Sequence, residues 1–260
     1  MGHLHHFSAG WVSPVLAYAM ASIGAALGLR CTVRALAVEG RSRRNWLMTA
    51  AIAIGSGIWT MHFVAMLGFG VSGTAIRYNV PLTLLSLLVA VAVVSAGMFT
   101  VGFYGGARLR SLSLGGLGTG LGVAAMHYLG MAALRLHGSI GYDFGLAALS
   151  VLIAVVAATA ALWAALTVHG VTGAALASLV MGLAVSSMHY TGMRAVHVTV
   201  TGERTSLPGA TAMEFIFPLT VLLGSFLFLT CAFVALSPTA RERAEEASAA
   251  RVGGAELPAG

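Results

Sequence analysis

Seven long apolar stretches restrict this sequence to a small set of folds. They run roughly over residues 13–35, 46–69, 80–104, 114–136, 144–168, 171–196 and 213–236. A helix needs about 20 predominantly apolar residues to cross a bilayer, and each stretch meets this length. Charged residues make up only 8% of the chain, against about 25% in an ordinary soluble domain. The sequence therefore predicts an all-α integral membrane domain of seven transmembrane helices over residues 1–237, with a short polar tail at 238–260.

The positions of the arginines between these stretches predict how the helices are oriented. Of the 13 arginines that lie near the ends of the stretches, nine lie on one side, namely Arg30, Arg34, Arg41, Arg43, Arg44, Arg108, Arg110, Arg241 and Arg243. Four lie on the other side, namely Arg77, Arg135, Arg194 and Arg204. Because cytoplasmic loops carry the excess of basic residues, we expect the N-terminus outside and the tail in the cytoplasm. Arginines scattered in this way form no basic stripe, which argues against nucleic acid as a partner.

A six-residue motif occurs three times. It reads MHFVAM at 61–66, MHYLGM at 126–131 and MHYTGM at 188–193. The copies start 65 and 62 residues apart, and each interval contains one pair of apolar stretches. The sequence thus predicts one leading helix followed by three repeated helix pairs, with the motif on the second, fourth and sixth helices. These three helices run in the same direction, so we expect the motifs at one depth, in the outer half of the bilayer.

The spacing within each copy predicts which side chains share a helix face. His62 and Met66 are four residues apart and lie on the same face, and the other two copies repeat this pair. A glycine stands seven residues before each histidine, at Gly55, Gly120 and Gly182. On each motif helix, a histidine and a methionine are therefore expected beside a notch without a side chain. Such a notch lets a neighbouring helix approach closely, or leaves a small cavity near the imidazole.

Three histidines at one depth of a membrane need a common explanation, because an imidazole in hydrocarbon is costly without a polar partner. Packing is one, with each histidine bonded to a backbone carbonyl. A metal ion is another. Imidazole and thioether ligands suit copper, whereas Mg²⁺ and Ca²⁺ require oxygen ligands. Zinc fits less well, because methionine is not among its usual ligands, and haem is an alternative, since His/His or His/Met pairs ligate its iron.

The candidate metal ligands are the histidines and methionines of the motif, with one residue near the N-terminus. They are His62, His127, His189, Met61, Met126, Met188, Met66, Met131, Met193 and His6. His6 is included because it precedes the first helix on the same outer side as the motifs. No paired carboxylates or Ser/His/Asp arrangement is apparent in the apolar stretches, so we expect no catalytic residues.

The three copies of Met-His-aromatic at helix-pair spacing resemble the MHYT domain, a bacterial integral membrane sensor domain, over residues 5–237. The resemblance implies a location in the bacterial cytoplasmic membrane, copper bound by the Met and His residues, and sensing of a diatomic gas such as oxygen, carbon monoxide or nitric oxide. Carried over by position, the ligands are Met61, His62, Met126, His127, Met188 and His189.

Many members of that family carry a fused cyclic-dinucleotide or kinase output module, and we expect none in this chain. A separate signalling protein is then the expected partner, alongside the lipid bilayer. Two alternatives to a sensor remain open at this point. Repeated helix pairs are also common in transporters, so the chain is alternatively a metal-handling or small-solute transporter. The second alternative is that the chain is a haem-type membrane electron carrier, in which the histidines ligate the haem iron.

Overall fold

The computed structural model describes residues 4–5, 10–103, 108–168, 170–201 and 205–237. Within them it contains seven α-helices: α1 (Val12–Leu36), α2 (Gly40–Met66), α3 (Val80–Phe103), α4 (Arg108–Ala132), α5 (Phe144–Thr167), α6 (Gly170–Arg194) and α7 (Phe217–Leu236). A π-helical turn, Ala212–Ile216, leads into α7. The predicted all-α, seven-helix membrane fold is confirmed. Six of the helices are long and apolar enough to cross a membrane; the remaining one, α4, has the same length but a lower hydropathy because it is rich in glycine.

The helix ends differ from the ends of the apolar stretches. α2 begins at Gly40 and α4 at Arg108, six residues before the corresponding stretches. The same two helices end three and four residues earlier than predicted, at Met66 and Ala132. Apolar composition marks the part of a helix that is compatible with lipid, whereas the hydrogen-bonded helix continues into polar residues or stops where a strand begins.

The first six helices form a closed ring. Each of them packs against the next along the chain, and α6 packs back against α1. The seventh helix, α7, packs against α1 and α2. The three motif helices α2, α4 and α6 therefore alternate around the ring with α1, α3 and α5. This alternation gives the ring an approximate threefold arrangement that follows the sequence repeat.

Three small antiparallel sheets lie at one end of the ring. The strands are β1 (Leu4–His5), β2 (Gly70–Val71), β3 (Arg77–Tyr78), β4 (Leu134–Arg135), β5 (Gly138–Tyr142) and β6 (Val196–Val200). They pair as β1 with β2, β3 with β4, and β5 with β6. Each sheet thus joins the segment before an odd-numbered helix to the segment after the next helix. The ends of all three motif helices consequently lie on the same side, which is the outer side in the predicted orientation.

Polar caps start two of the odd-numbered helices at equivalent places in the repeat. The side-chain oxygen of Asn79 accepts a hydrogen bond from the backbone N–H of Leu82 at the start of α3. The carboxylate of Asp143 does the same for Leu146 at the start of α5. Such caps satisfy backbone donors that have no partner within the first turn. The backbone N–H groups of Asn79 and Asp143 donate to the carbonyls of Ala133 and Ala195, directly after α4 and α6, so the beginnings of α3 and α5 lie beside the ends of the following motif helices.

The glycines seven residues before each histidine lie where neighbouring helices approach closely. Gly55, Gly120 and Gly182 face α3, α5 and α1, where an added Cβ would meet Val91, Val155 and Ser22, respectively. Two of these contacts are with the Cα atom of the neighbouring residue, so no side-chain movement would relieve them. Of the two interpretations of the notch, the close approach of a neighbouring helix is the correct one.

Candidate metal centre

The three motif histidines meet at the centre of the ring. His62, His127 and His189 come from α2, α4 and α6, and each is only 1% exposed. Their Nδ1 atoms form a small triangle with sides of 2.9 Å (His62 to His189), 3.2 Å (His127 to His62) and 3.3 Å (His189 to His127). In the part of the chain that the structure describes, they are the one group of three or more His, Cys, Asp or Glu residues close enough to share a metal ion.

Hydrogen bonding alone cannot satisfy this triangle. The Nδ1 atom of a neutral imidazole is either a donor or an acceptor, never both. Among three mutually adjacent Nδ1 atoms, at least two must therefore have the same role and repel each other. The packing interpretation, in which each histidine bonds to a backbone carbonyl, does not describe His62 and His127, because their Nδ1 atoms face other imidazoles and their Nε2 atoms have no hydrogen-bond partner.

The triangle has the size that a shared metal ion requires. An ion with metal–nitrogen bonds of about 2.0 Å and tetrahedral angles holds its nitrogen ligands about 3.3 Å apart. The observed sides of 2.9–3.3 Å are close to this value. Three Nδ1 lone pairs directed at one cation would remove the conflict between the rings, so the residues present fit a metal ion bound by three histidines.

The small residues of the second and third motifs make room for a histidine of another motif helix. A Cβ added at Gly130 would lie 2.5 Å from Nε2 of His62, and one added at Gly192 would lie 2.5 Å from Nε2 of His127. Both Nε2 atoms are buried without a hydrogen-bond partner. The repeated small residue was visible in the sequence, but its role was not predicted, because it depends on which helix stands beside it.

The six motif methionines are all buried, between 0% and 3% exposed. Five of them, Met66, Met126, Met131, Met188 and Met193, belong to one apolar cluster. Met61 belongs to a different cluster, together with Ala17 and Ala21 of α1. The methionines are thus buried in the interior of the helix ring, as are His62, His127 and His189, which together form the histidine layer. Their role as sulfur ligands stays a prediction.

Aromatic side chains of the motifs pack against the imidazole rings. The ring centroids of His62 and Phe63 are 4.6 Å apart, and those of His127 and Tyr128 are 4.9 Å apart, both with edge-to-face geometry. The hydroxyl of Tyr128 is hydrogen-bonded to Ser150 at 2.7 Å, which connects α4 to α5. Tyr128 therefore restricts the position of the imidazole by packing, while its hydroxyl bonds to the neighbouring helix.

The histidine layer lies close to the outer ends of the motif helices. His62 is four residues before the end of α2, and His127 and His189 are five residues before the ends of their helices. At 1.5 Å per residue this is about 6–8 Å, slightly less than the roughly ten ångströms that the apolar stretches suggest. The three sheets at the outer end of the ring form a strand layer. Tyr78 of this layer is 2% exposed and belongs to the same apolar cluster as five of the motif methionines.

Burial raises the pKa of Tyr78, as expected for a phenol enclosed in this apolar layer. The predicted ligand His6 lies outside the described residues. Two further histidines lie in the strand layer: His197 is exposed and His137 is half-buried. Neither joins the triangle, because both follow the end of their motif helix.

The repeat family MHYT, described as a bacterial signalling protein N-terminal repeat, matches residues 55–115, 120–178 and 182–249. Each match begins at or next to one of the glycines that precede the motif histidines. The three matches together cover well over half of the chain. No solved structure matches the chain.

Several curated signalling proteins are similar to the chain. It is 47% identical to the bifunctional diguanylate cyclase/cyclic di-GMP phosphodiesterase MucR of Pseudomonas aeruginosa, over 62% of this chain and 24% of MucR. It is 44% identical to the cyclic di-GMP phosphodiesterase NbdA of the same organism, over 60% of this chain and 21% of NbdA. The signalling protein YkoW of Bacillus subtilis is 30% identical, over 60% of this chain and 20% of YkoW. The chain spans about a quarter or less of the length of these relatives.

Proposed function

Because the chain belongs to the MHYT family of bacterial signalling proteins, we propose that it is a membrane sensor domain whose three motif histidines bind one copper ion. The observation that carries the proposal is the triangle of Nδ1 atoms, with sides of 2.9–3.3 Å. A cation at its centre would accept the Nδ1 lone pairs of all three histidines and so remove the repulsion between Nδ1 atoms that have the same role.

The chemistry of the surroundings supports copper over other ions. The group of three histidines contains no carboxylate, and hard cations such as Mg²⁺ and Ca²⁺ need oxygen ligands. Zinc accepts three histidines, but the buried methionines around the layer offer thioether sulfur, which favours copper, above all Cu(I). Haem fits poorly, because nitrogen atoms about 3 Å apart leave no space for a macrocycle between the rings.

Three histidine ligands would allow a four-coordinate ion to accept one further ligand, and a diatomic gas such as oxygen, carbon monoxide or nitric oxide is the proposed signal. The imidazoles of His62, His127 and His189 would hold the ion, and the apolar cluster would keep water away from it. Gly130 and Gly192 leave room for the rings of His62 and His127.

The proposed signal passes through the packing of the helices. His62 lies on α2, which packs against α7. A displacement of His62 that moves α2 would therefore change the packing of α7. The relatives named as cyclic di-GMP enzymes suggest that the domain controls an enzymatic signalling module in the bacterial cytoplasmic membrane. Catalysis is assigned to that module and not to the helices of this domain.

Metal analysis of the purified protein tests the proposal. We expect about one copper ion per chain after reconstitution with Cu(I) in detergent, and loss of nearly all of it in His127→Ala, since removing one of three ligands leaves a two-coordinate site. His197→Ala is the matched control, because this histidine is exposed in the strand layer and should leave the copper content unchanged.

Two results would refute the copper site. One is the absence of bound copper in the wild type under both oxidising and reducing conditions. The other is equal copper content in the wild type and in His127→Ala, since weakly bound surface metal would give that result. Optical spectra recorded on the same samples separate copper from haem, because haem has a Soret band.

A further inference from the structure

A partly open cavity of about 60 Å³ lies between the helices of the ring. All six ring helices contribute to its wall. Six of the lining residues are alanines, whose short side chains leave the space unfilled: Ala21, Ala25, Ala154, Ala157, Ala158 and Ala161.

The cavity is apolar and has little to offer a water molecule. Thr119 is the one lining residue with a polar side-chain group, and its hydroxyl donates to the backbone oxygen of Val93 at 3.4 Å. A buried water needs two to four polar partners, and apolar cavities without them stay dry and bind apolar molecules instead. The cavity is therefore suited to a small apolar occupant and unsuited to an ion or a polar solute.

The position of the cavity connects it to the histidine layer. Ile58, Val123 and Val185 line it, and each stands four residues before a motif histidine on the same helix. Residues four apart on a helix are neighbours on one face, about one turn or 6 Å along the axis. The wall of the cavity nearest the site thus lies directly below the three imidazoles, on the inner side.

We propose that this cavity is a docking site for a small apolar gas molecule, held one helical turn below the histidine triangle. The size agrees with this occupant. On the same measure a single water needs about 10–15 Å³, so 60 Å³ accommodates a diatomic molecule with room to move. The delivery of such a gas to the histidine layer rests on the proposed function, whereas the docking site itself does not.

Xenon is the probe for the docking site, because it binds dry apolar cavities and needs no metal. The experiment compares ¹²⁹Xe exchange spectra of the full chain in lipid nanodiscs for the wild type, Ala158→Leu and Ala160→Leu. Ala158 lines the cavity, whereas Ala160 on the same helix is exposed to the lipid side. Both variants add the same atoms to α5, so they differ only in whether those atoms enter the cavity.

We expect a bound-xenon signal in the wild type and in Ala160→Leu, and about a tenfold loss of affinity in Ala158→Leu, since filling the space removes the site. If Ala158→Leu does not fold, Ala158→Val takes its place and gives a partial loss. Absence of a bound-xenon signal from the wild type overturns the docking site. So does an equal signal in the cavity variant and in the lipid-facing variant.

A second experiment tests whether the cavity delivers the gas to the histidine layer. In copper-loaded protein, Ala158→Leu should slow the binding of carbon monoxide by about tenfold relative to Ala160→Leu, while the copper content of the two variants stays the same. The two proposals fail in different ways. A protein that binds xenon but no copper retains the docking site and loses the proposed function. A protein that binds copper but no xenon retains the proposed function and loses the docking site. Equal rates of carbon monoxide binding in both variants refute the delivery of gas from the cavity to the histidine layer.

Discussion

Two sets of small residues on the motif helices look alike in the sequence and serve different purposes in the structure. The lower set stands seven residues before each histidine and consists of Gly55, Gly120 and Gly182. The upper set stands three residues after each histidine and consists of Ala65, Gly130 and Gly192. The lower glycines face neighbouring odd-numbered helices, whereas Gly130 and Gly192 face the imidazole of another motif helix.

This difference separates assembly of the ring from construction of the site. A contact with a neighbouring backbone cannot relax without moving a whole helix, so the lower set determines whether the helices close up. A contact with an imidazole edge can relax when the ring rotates, so the upper set determines where the nitrogen atoms point. Substitutions in the two sets should therefore affect stability and metal binding to different extents.

The largest effect is expected in the lower set, from Gly120→Ala. The added Cβ would meet the Cα of Val155 on α5, and overpacking against a backbone that cannot yield costs about 3 kcal/mol. In a chain of this size this corresponds to a decrease in Tm of about 6–12 °C, measurable by thermal unfolding in detergent.

Gly118→Ala is the matched control for that prediction. Gly118 lies on the same helix two residues away, and an added Cβ there meets nothing within 4 Å. Since alanine is favoured over glycine in a helix by about 0.5–1 kcal/mol, this variant should be as stable as the wild type or slightly more stable. Equal losses of stability in both variants would contradict the assignment of Gly120 to helix approach.

An intermediate effect is expected in the upper set, from Gly130→Ala. The added methyl group presses on Nε2 of His62 and turns the ring away from the triangle. We expect about a tenfold loss of copper affinity, the scale on which changes around a metal ligand act, with a smaller change in Tm than in Gly120→Ala. A variant that loses stability but keeps its copper affinity would show that the two sets do not differ in the way described.

The smallest effect is expected from Met131→Leu, which sharpens the description of the upper region. This exchange nearly conserves volume and should change the free energy of unfolding by less than about 1.5 kcal/mol. A thioether ligand favours soft Cu(I) and is unusual for zinc. Titration should therefore show about a threefold loss of affinity for Cu(I) and no change for Zn²⁺; unchanged Cu(I) affinity would assign Met131 to packing alone.

Much of the fold was predictable, because apolar length and repeat spacing are local properties. The seven helices and the placement of the motif on α2, α4 and α6 follow from them. The helix ends were less predictable. The strands that follow α2 and α4 are Gly70–Val71, paired with Leu4–His5, and Leu134–Arg135, paired with Arg77–Tyr78. The paired segments are far apart in the sequence and too short to show an alternating pattern.

The candidate site was predictable in its residues and not in its geometry. The sequence by itself determined that three histidines lie on parallel helices at nearly the same depth, since this requires only the motif, the spacing and the direction of each span. Only the tertiary structure decided that three Nδ1 atoms meet within 3.3 Å, that the rings of His62 and His127 lie against small residues of other motif helices, and that an apolar cavity remains below them. These features depend on the rotation and tilt of each helix against its neighbours. Rotation and tilt come from contacts around the whole ring, including the closure of α6 on α1.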